Sequence, residues 1–183
     1  QRAGDVIPQI VRVIPEARTG KETKFLFPDS CPICGADAIR PAGEAVRRCR
    51  GGLKCAAQLF EGLKHFVSRD AFDIEGLGAR QIEQFIELGW ITSPADIFAL
   101  ASYKDAMAQL DGYGDVSIAK LLAAIDSRRQ IGMERFIYSL GIRQVGQATA
   151  RLLALHYGEM DQMMTALNPD ADLLAAHAAL VDI

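Results

Sequence analysis

Hydrophobic residues along this chain change their spacing twice, and each change marks a change of structure. Between Asp5 and Ile14 the run Val6, Ile7, Ile10, Val11, Val13 and Ile14 is β-branched and bounded by Pro8 and Pro15, which predicts a strand pair or a single edge strand. Residues 16–30 are charged or turn-forming apart from Phe25, Leu26 and Phe27, so a linker and a boundary near residue 28 follow. Residues 29–58 carry prolines, glycines and too few aliphatic side chains to build a core; something other than hydrophobic burial must hold them. From about Leu59 the period is helical: Leu63, Phe66 and Val67, then Ile82, Phe85, Ile86 and Leu88, then Ile118, Leu121, Leu122 and Ile125. The expected fold class is mainly α, with a small β segment over residues 1–28, a separate module over 29–58 and a helical domain over 59–183.

The helical part repeats itself. Ile74-Glu75-Gly76-Leu77-Gly78 and Leu110-Asp111-Gly112-Tyr113-Gly114 each follow one short helical pattern and precede another, and Ile142-Arg143-Gln144-Val145-Gly146 comes third. The second glycines stand 36 and 32 residues apart, the spacing of a stacked supersecondary unit. Asp172 to Ile183 reads as the run-up to a fourth unit whose glycine turn is missing, so the chain is expected to be part of something longer. Gly76, Gly78, Gly112, Gly114 and Gly146 are candidate phosphate contacts: glycine permits a tight turn and close approach, and the following helix adds the positive end of its dipole. Such a turn grips a DNA backbone without reading sequence. One Gly-x-Gly alone is a common helix cap, but several in register are not. Gln144 stands where the third turn would carry its first glycine, which suggests packing between repeats at that turn. A dinucleotide-binding reading fails, because helices and not strands precede these turns.

Charge sharpens this picture. The net charge of −3 argues against a polyanion partner, yet residues 31–69 carry +4 and residues 70–183 carry −8. Phosphate contact in the acidic helical part must therefore come from backbone groups, while Arg40, Arg47, Arg48, Arg50 and Lys54 give the middle module a cationic face. No stretch approaches the roughly 18 apolar residues of a membrane helix, and no signal peptide is evident, which predicts a cytoplasmic protein.

All four cysteines lie in that module. Cys31-x2-Cys34 and Cys49-x5-Cys55 are two pairs fourteen residues apart, with Pro32 and Gly35 in one knuckle and Gly51-Gly52 in the other. Each pair can supply two thiolates from one tight turn, and two pairs close a tetrahedral structural zinc site with no open position for catalysis. Two disulfides, or four unrelated thiols, form the competing reading, disfavoured where no secretion signal exists. His65, His156 and His177 lie in helical pattern and are not needed as ligands. Met133, Met160, Met163 and Met164, with Leu152, Leu153 and Leu155, are expected in a core; so are Trp90 and Tyr138, while Tyr113 sits at a hairpin tip.

The ordered set Gly4-Asp5-Val6-Ile7-Pro8, Cys31-Pro32-x-Cys34-Gly35, Cys49-x-Gly51-Gly52-x-x-Cys55-x-Ala57-Gln58, Leu63-Lys64-His65-Phe66-Val67-Ser68-Arg69, Ile74-x-Gly76-Leu77-Gly78 and Leu140-Gly141-Ile142-Arg143-x-Val145-Gly146 resembles the bacterial NAD-dependent DNA ligases over essentially the full length. The resemblance implies the end of an oligonucleotide-binding fold over 1–28, a four-cysteine zinc finger over 29–58, and a domain of helix-hairpin-helix motifs over 59–183, the fourth truncated. It implies a monomer that clamps nicked duplex DNA in replication and repair, beside other domains of the same enzyme and the nucleoid. Arg143 joins the glycines, Arg47, Arg48, Arg50 and Lys54 as an implied DNA contact. NAD and Mg2+ would serve the full-length enzyme at sites elsewhere. In that family a lysine of a Lys-x-Asp-Gly motif receives AMP, and Lys104-Asp105-Ala106-Met107 lacks that context, so no catalytic residue is expected in this chain. Ala56, Ile82 and Ile118 depart from residues common in the family. Rival readings are a zinc and hairpin repair scaffold without chemistry, and a protein-interaction platform in which the glycine turns are only caps.

Overall fold

The computed structural model describes residues 11–167. Two short strands, β1 (Ala38–Ile39) and β2 (Arg48–Cys49), pair antiparallel with Ala38 opposite Cys49. Seven helices follow: α1 (Ala56–Phe66), α2 (Ala79–Glu87), α3 (Lys104–Met107), α4 (Asp115–Ser127), α5 (Met133–Ser139), α6 (Gln147–Tyr157) and α7 (Met160–Ala166), with a 3-10 segment Pro94–Tyr103 leading into α3. The mainly helical expectation is met. Of the strand expected over Asp5 to Ile14, Asp5 to Ile10 lie outside the described residues, and Val11–Ile14 belong to no strand, with Val11, Val13 and Ile14 exposed. Pro15 opens a 3-10 turn there and removes a ladder donor. The expected fourth repeat at 172–183, with His177, also lies outside the described residues.

Hydrophobic burial divides the helices into two cores. Leu63, Phe66, Ile82, Phe85, Ile97, Leu100, Met107, Ile118, Leu121 and Ile125 belong to one cluster built by α1 to α4. Ile137, Ala150, Leu153, Tyr157 and Met163 form a second, between α5, α6 and α7. The helical period placed its members correctly except Leu88, which is exposed beyond α2. Met163 and Leu153 are core as expected, but Leu152, Leu155 and Met164 are exposed. Helix α6 buries the stripe 150, 153 and 157, so 152 and 155 fall on its opposite face.

Arginines stitch the segment after α1 to later helices. Arg128 donates to the Asp73 carbonyl at 3.2 Å and to its carboxylate at 2.6 Å, and Arg135 donates to the carbonyls of Ala71 and Arg69. Asp96 caps the 3-10 segment: one carboxylate oxygen accepts from the backbone and hydroxyl of both Thr92 and Ser93.

Candidate metal centre and nucleic-acid interface

The four cysteine Sγ atoms lie within 4.8 Å of one another, and the group contains no histidine or carboxylate. The first pair comes from a knuckle in which Gly35, in the left-handed region at φ +73°, returns its N–H to the Cys31 carbonyl. Cys49 ends β2. Cys55 is the N-cap of α1, so the fourth thiol fastens this module to the helical domain. Gln58 ties back from the first turn of α1 to the Cys49 carbonyl. Gly51 is required by space: a Cβ there would stand 2.7 Å from Cys34 Sγ and 3.2 Å from Cys49 Sγ, while its N–H donates to Cys49 Sγ.

These donors fit a zinc ion. None of the four is in a disulfide, and Cys34 and Cys49 Sγ stand 3.4 Å apart, against about 2.05 Å for an S–S bond. Tetrahedral Zn–S bonds of about 2.3 Å separate sulfurs by roughly 3.8 Å, within the span observed. Backbone N–H groups of Cys34 and Ile33 bring the Cys31 thiol down to about 7. At Cys34 the N–H of Ala36 pulls the same way but is outweighed by the Cys49 thiol, burial, Cys31 and Cys55, which push it up to about 12. Thiolates this close cannot all ionise without a cation among them.

Three hairpins follow, and they share one backbone. In each, a four-residue turn closes by an N–H to carbonyl bond: Leu77 to Ile74, Tyr113 to Leu110 and Val145 to Ile142. The third turn residue has φ +86° at Gly76, +85° at Gly112 and +65° at Gln144. Gly78, Gly114 and Gly146 then sit extended as N-caps of α2, α4 and α6. Gln144 therefore does not abolish the turn; it adopts the glycine conformation. Each cap glycine is exposed, and the first N–H groups of the following helix lie too early to find an i−4 partner inside it, although at α4 the Ser117 N–H donates to the Gly114 carbonyl at 2.9 Å.

The first two hairpins lie together. Gly76 packs 3.8 Å, by its would-be Cβ, from Leu121 of α4, and Gly76, Gly112 and Lys120 line one groove of about 580 Å³. Tyr113 is turned inward: its ring lies 5.9 Å from Phe85, and its hydroxyl is buried without a partner among the described residues. Burial raises its phenol above the ordinary range, with Arg80 opposing. Its ring thus packs, partly buried, against the first core. Trp90 stacks on Tyr103, as expected of a core aromatic, and Tyr138 lies edge-on to His65.

The third hairpin region meets α1 and the zinc module instead. On α1, His65 Nε2 lies 2.8 Å from the Tyr138 carbonyl, and in the module both carboxylate oxygens of Glu44 accept from Arg143 at 3.0 Å. Among the module's cations, Arg50 and Lys54 are exposed, Arg48 pairs with Glu44, and Arg47 is committed to Asp29, the Pro28 carbonyl and the Ala38 carbonyl. His156 is exposed on α6, away from the cysteines.

Comparison with known proteins bears on the same two regions. Residues 30–57 match the family model of the NAD-dependent DNA ligase C4 zinc finger domain, and residues 135–175 match a helix-hairpin-helix motif. The chain is similar to the DNA ligase of Acidiphilium cryptum, 60% identical over 157 residues that cover 86% of this chain and 23% of that protein. The DNA ligases of Rhodopseudomonas palustris (strain TIE-1) and Nitrobacter hamburgensis are each 54% identical, covering 94% and 93% of this chain and 24% of their own length. By sequence, the chain belongs to the NAD-dependent DNA ligases. It spans about a quarter of the length of the curated relatives it matches. For a ligase segment the four thiols fit Zn2+, and Cys31, Cys34, Cys49 and Cys55 would hold it as a closed structural site. No helix among the described residues is long and apolar enough to cross a membrane.

Proposed function

We propose that this chain is the duplex-gripping part of a monomeric, cytoplasmic NAD-dependent DNA ligase that seals nicks in replication and repair. Residues 1–28 then end an oligonucleotide-binding fold, 29–58 form the zinc finger and 59–183 the hairpin domain. In this reading Gly76, Gly78, Gly112, Gly114 and Gly146 let DNA phosphates approach the backbone N–H groups at the starts of α2, α4 and α6. Arg48, Arg50, Lys54 and Arg143 add charge, and Arg47 braces the module. Adenylation, with its NAD and Mg2+, belongs to other parts of the enzyme, and no residue of this chain takes a catalytic role. The observation that carries the reading is the recurrence of one left-handed turn and extended glycine cap at three places, in a chain with a ligase-type zinc finger.

Binding of the chain to a nicked duplex across a salt series tests this. Each phosphate neutralised by a cation contributes a slope near −0.9 in log K against log salt, whereas backbone N–H contacts add affinity with little slope. The Gly76→Val and Gly112→Val double variant is expected to lose at least about tenfold in affinity, because a β-branched residue is strained at positive φ and bulk at 112 projects into open space. Helicity and zinc content serve as the check on folding. Unchanged binding by a folded double variant would refute the hairpin grip.

A further inference from the structure

Two of the arginines that make contacts differ in role from the rest. Arg47, Arg128 and Arg135 donate to backbone carbonyls and are part of the fold. Arg48 of the zinc module and Arg143 of the third hairpin instead converge on one carboxylate, Glu44, from two regions that are 99 residues apart in sequence at the longer pair. All three side chains are solvent-reachable, with 44% exposure for Arg48, 57% for Arg143 and 33% for Glu44. The two arginines border an open cleft of about 610 Å³ that Arg50 and Gln58 also line. Arg143 occupies the turn position held by Glu75 and Asp111 in the other two hairpins, so the third hairpin carries a cation where the others carry an anion. The Arg143 guanidinium, by hydrogen bond and then by charge, with Arg48 behind it, holds the Glu44 carboxyl below its ordinary range.

We propose that Glu44 is a built-in competitor for DNA phosphate, its carboxylate occupying an anion site formed by Arg48 and Arg143 that the duplex backbone takes over on binding. This rests on the DNA-binding reading above. The chemistry supports exchange: a carboxylate and a phosphodiester both accept paired N–H groups from guanidinium, and exposed ion pairs are weak enough to be displaced. Glu44 thereby keeps the third hairpin and the zinc module docked when DNA is absent, and its displacement opens two cations to the backbone.

The test is nicked-duplex binding by the whole chain over a salt series, with Glu44→Gln, Arg143→Gln and the double variant, zinc content and helicity being measured alongside. Glu44→Gln is expected to tighten binding about three- to tenfold and to steepen the salt slope by about one phosphate. Arg143→Gln is expected to weaken binding, and the double variant to lose most of the gain. If wild type binds and Glu44→Gln binds equally or more weakly, Glu44 is a brace and the inference is overturned while the DNA-binding reading stands. If wild type does not bind, both fall.

Discussion

The zinc module and the helical region solve the same problem with different means. Between Asp29 and Cys55 the buried residues are Cys31, Ala38 and Cys55, two of them zinc-type ligands, while α1 to α4 enclose a continuous cluster that includes Phe85, Ile82, Leu100 and Met107 at zero exposure. Burial cannot order a loop of this composition, because the apolar area available is far too small to offset chain entropy. Four bonds to one ion can. The difference teaches that stability here is local in kind, and that Cys55, being both a ligand and the N-cap of α1, is where the two kinds meet.

The largest effect should come from removing the metal. Structural zinc in small modules is worth on the order of 10–16 kcal/mol of apparent binding free energy near neutral pH. Chelation is therefore expected to abolish amide protection across residues 29–55 while leaving most of the helical circular dichroism intact. Helicity that collapses together with the zinc would mean the module is a keystone for the helices, and the contrast between the regions would be wrong.

Next comes a lesion in the burial-held region. Phe85 is fully buried and contacts Trp90 and Tyr113, so Phe85→Ala should cost about 3–5 kcal/mol from lost transfer energy and the cavity left behind. Chemical denaturation followed by helical signal measures this, and the zinc content of the folded variant should stay at one per chain. Zinc lost at the same denaturant concentration as the helices would show one cooperative unit rather than two.

How much of this was legible in the sequence follows the same division. The ligand set was plain because chemistry and spacing are local: two thiol pairs in glycine-bearing turns admit few other uses. The cores of α1, α2 and α4 were legible from period alone. What the sequence hid was set by contacts between distant residues. Arg47 and Arg143 read as cations for phosphate, yet their partners Asp29 and Glu44 lie 18 and 99 residues away, beyond any local pattern. Tyr113 stands at a turn, a place that leaves its role open in the sequence, but its ring lies against Phe85 of α2. At Gln144 the residue type suggested a departure from the turn, whereas the closing bond from Val145 to Ile142 and the following helix fix the conformation regardless.

That last position gives the smallest effect and the finest comparison. In the metal-held module a glycine is irreplaceable for space, since a Cβ at Gly51 would collide with Cys34 Sγ. In the third hairpin the corresponding demand is only conformational, and Gln144 meets it at φ +65°. A non-glycine residue there costs roughly 1–2 kcal/mol, while glycine loses roughly 0.5–1 kcal/mol more through the freedom of the unfolded chain. Gln144→Gly should therefore stabilise the chain by about 0.5 kcal/mol in chemical denaturation, with zinc content unchanged. A destabilised variant would mean that the glutamine side chain holds the turn, and that this hairpin is not conformationally equivalent to those at Gly76 and Gly112.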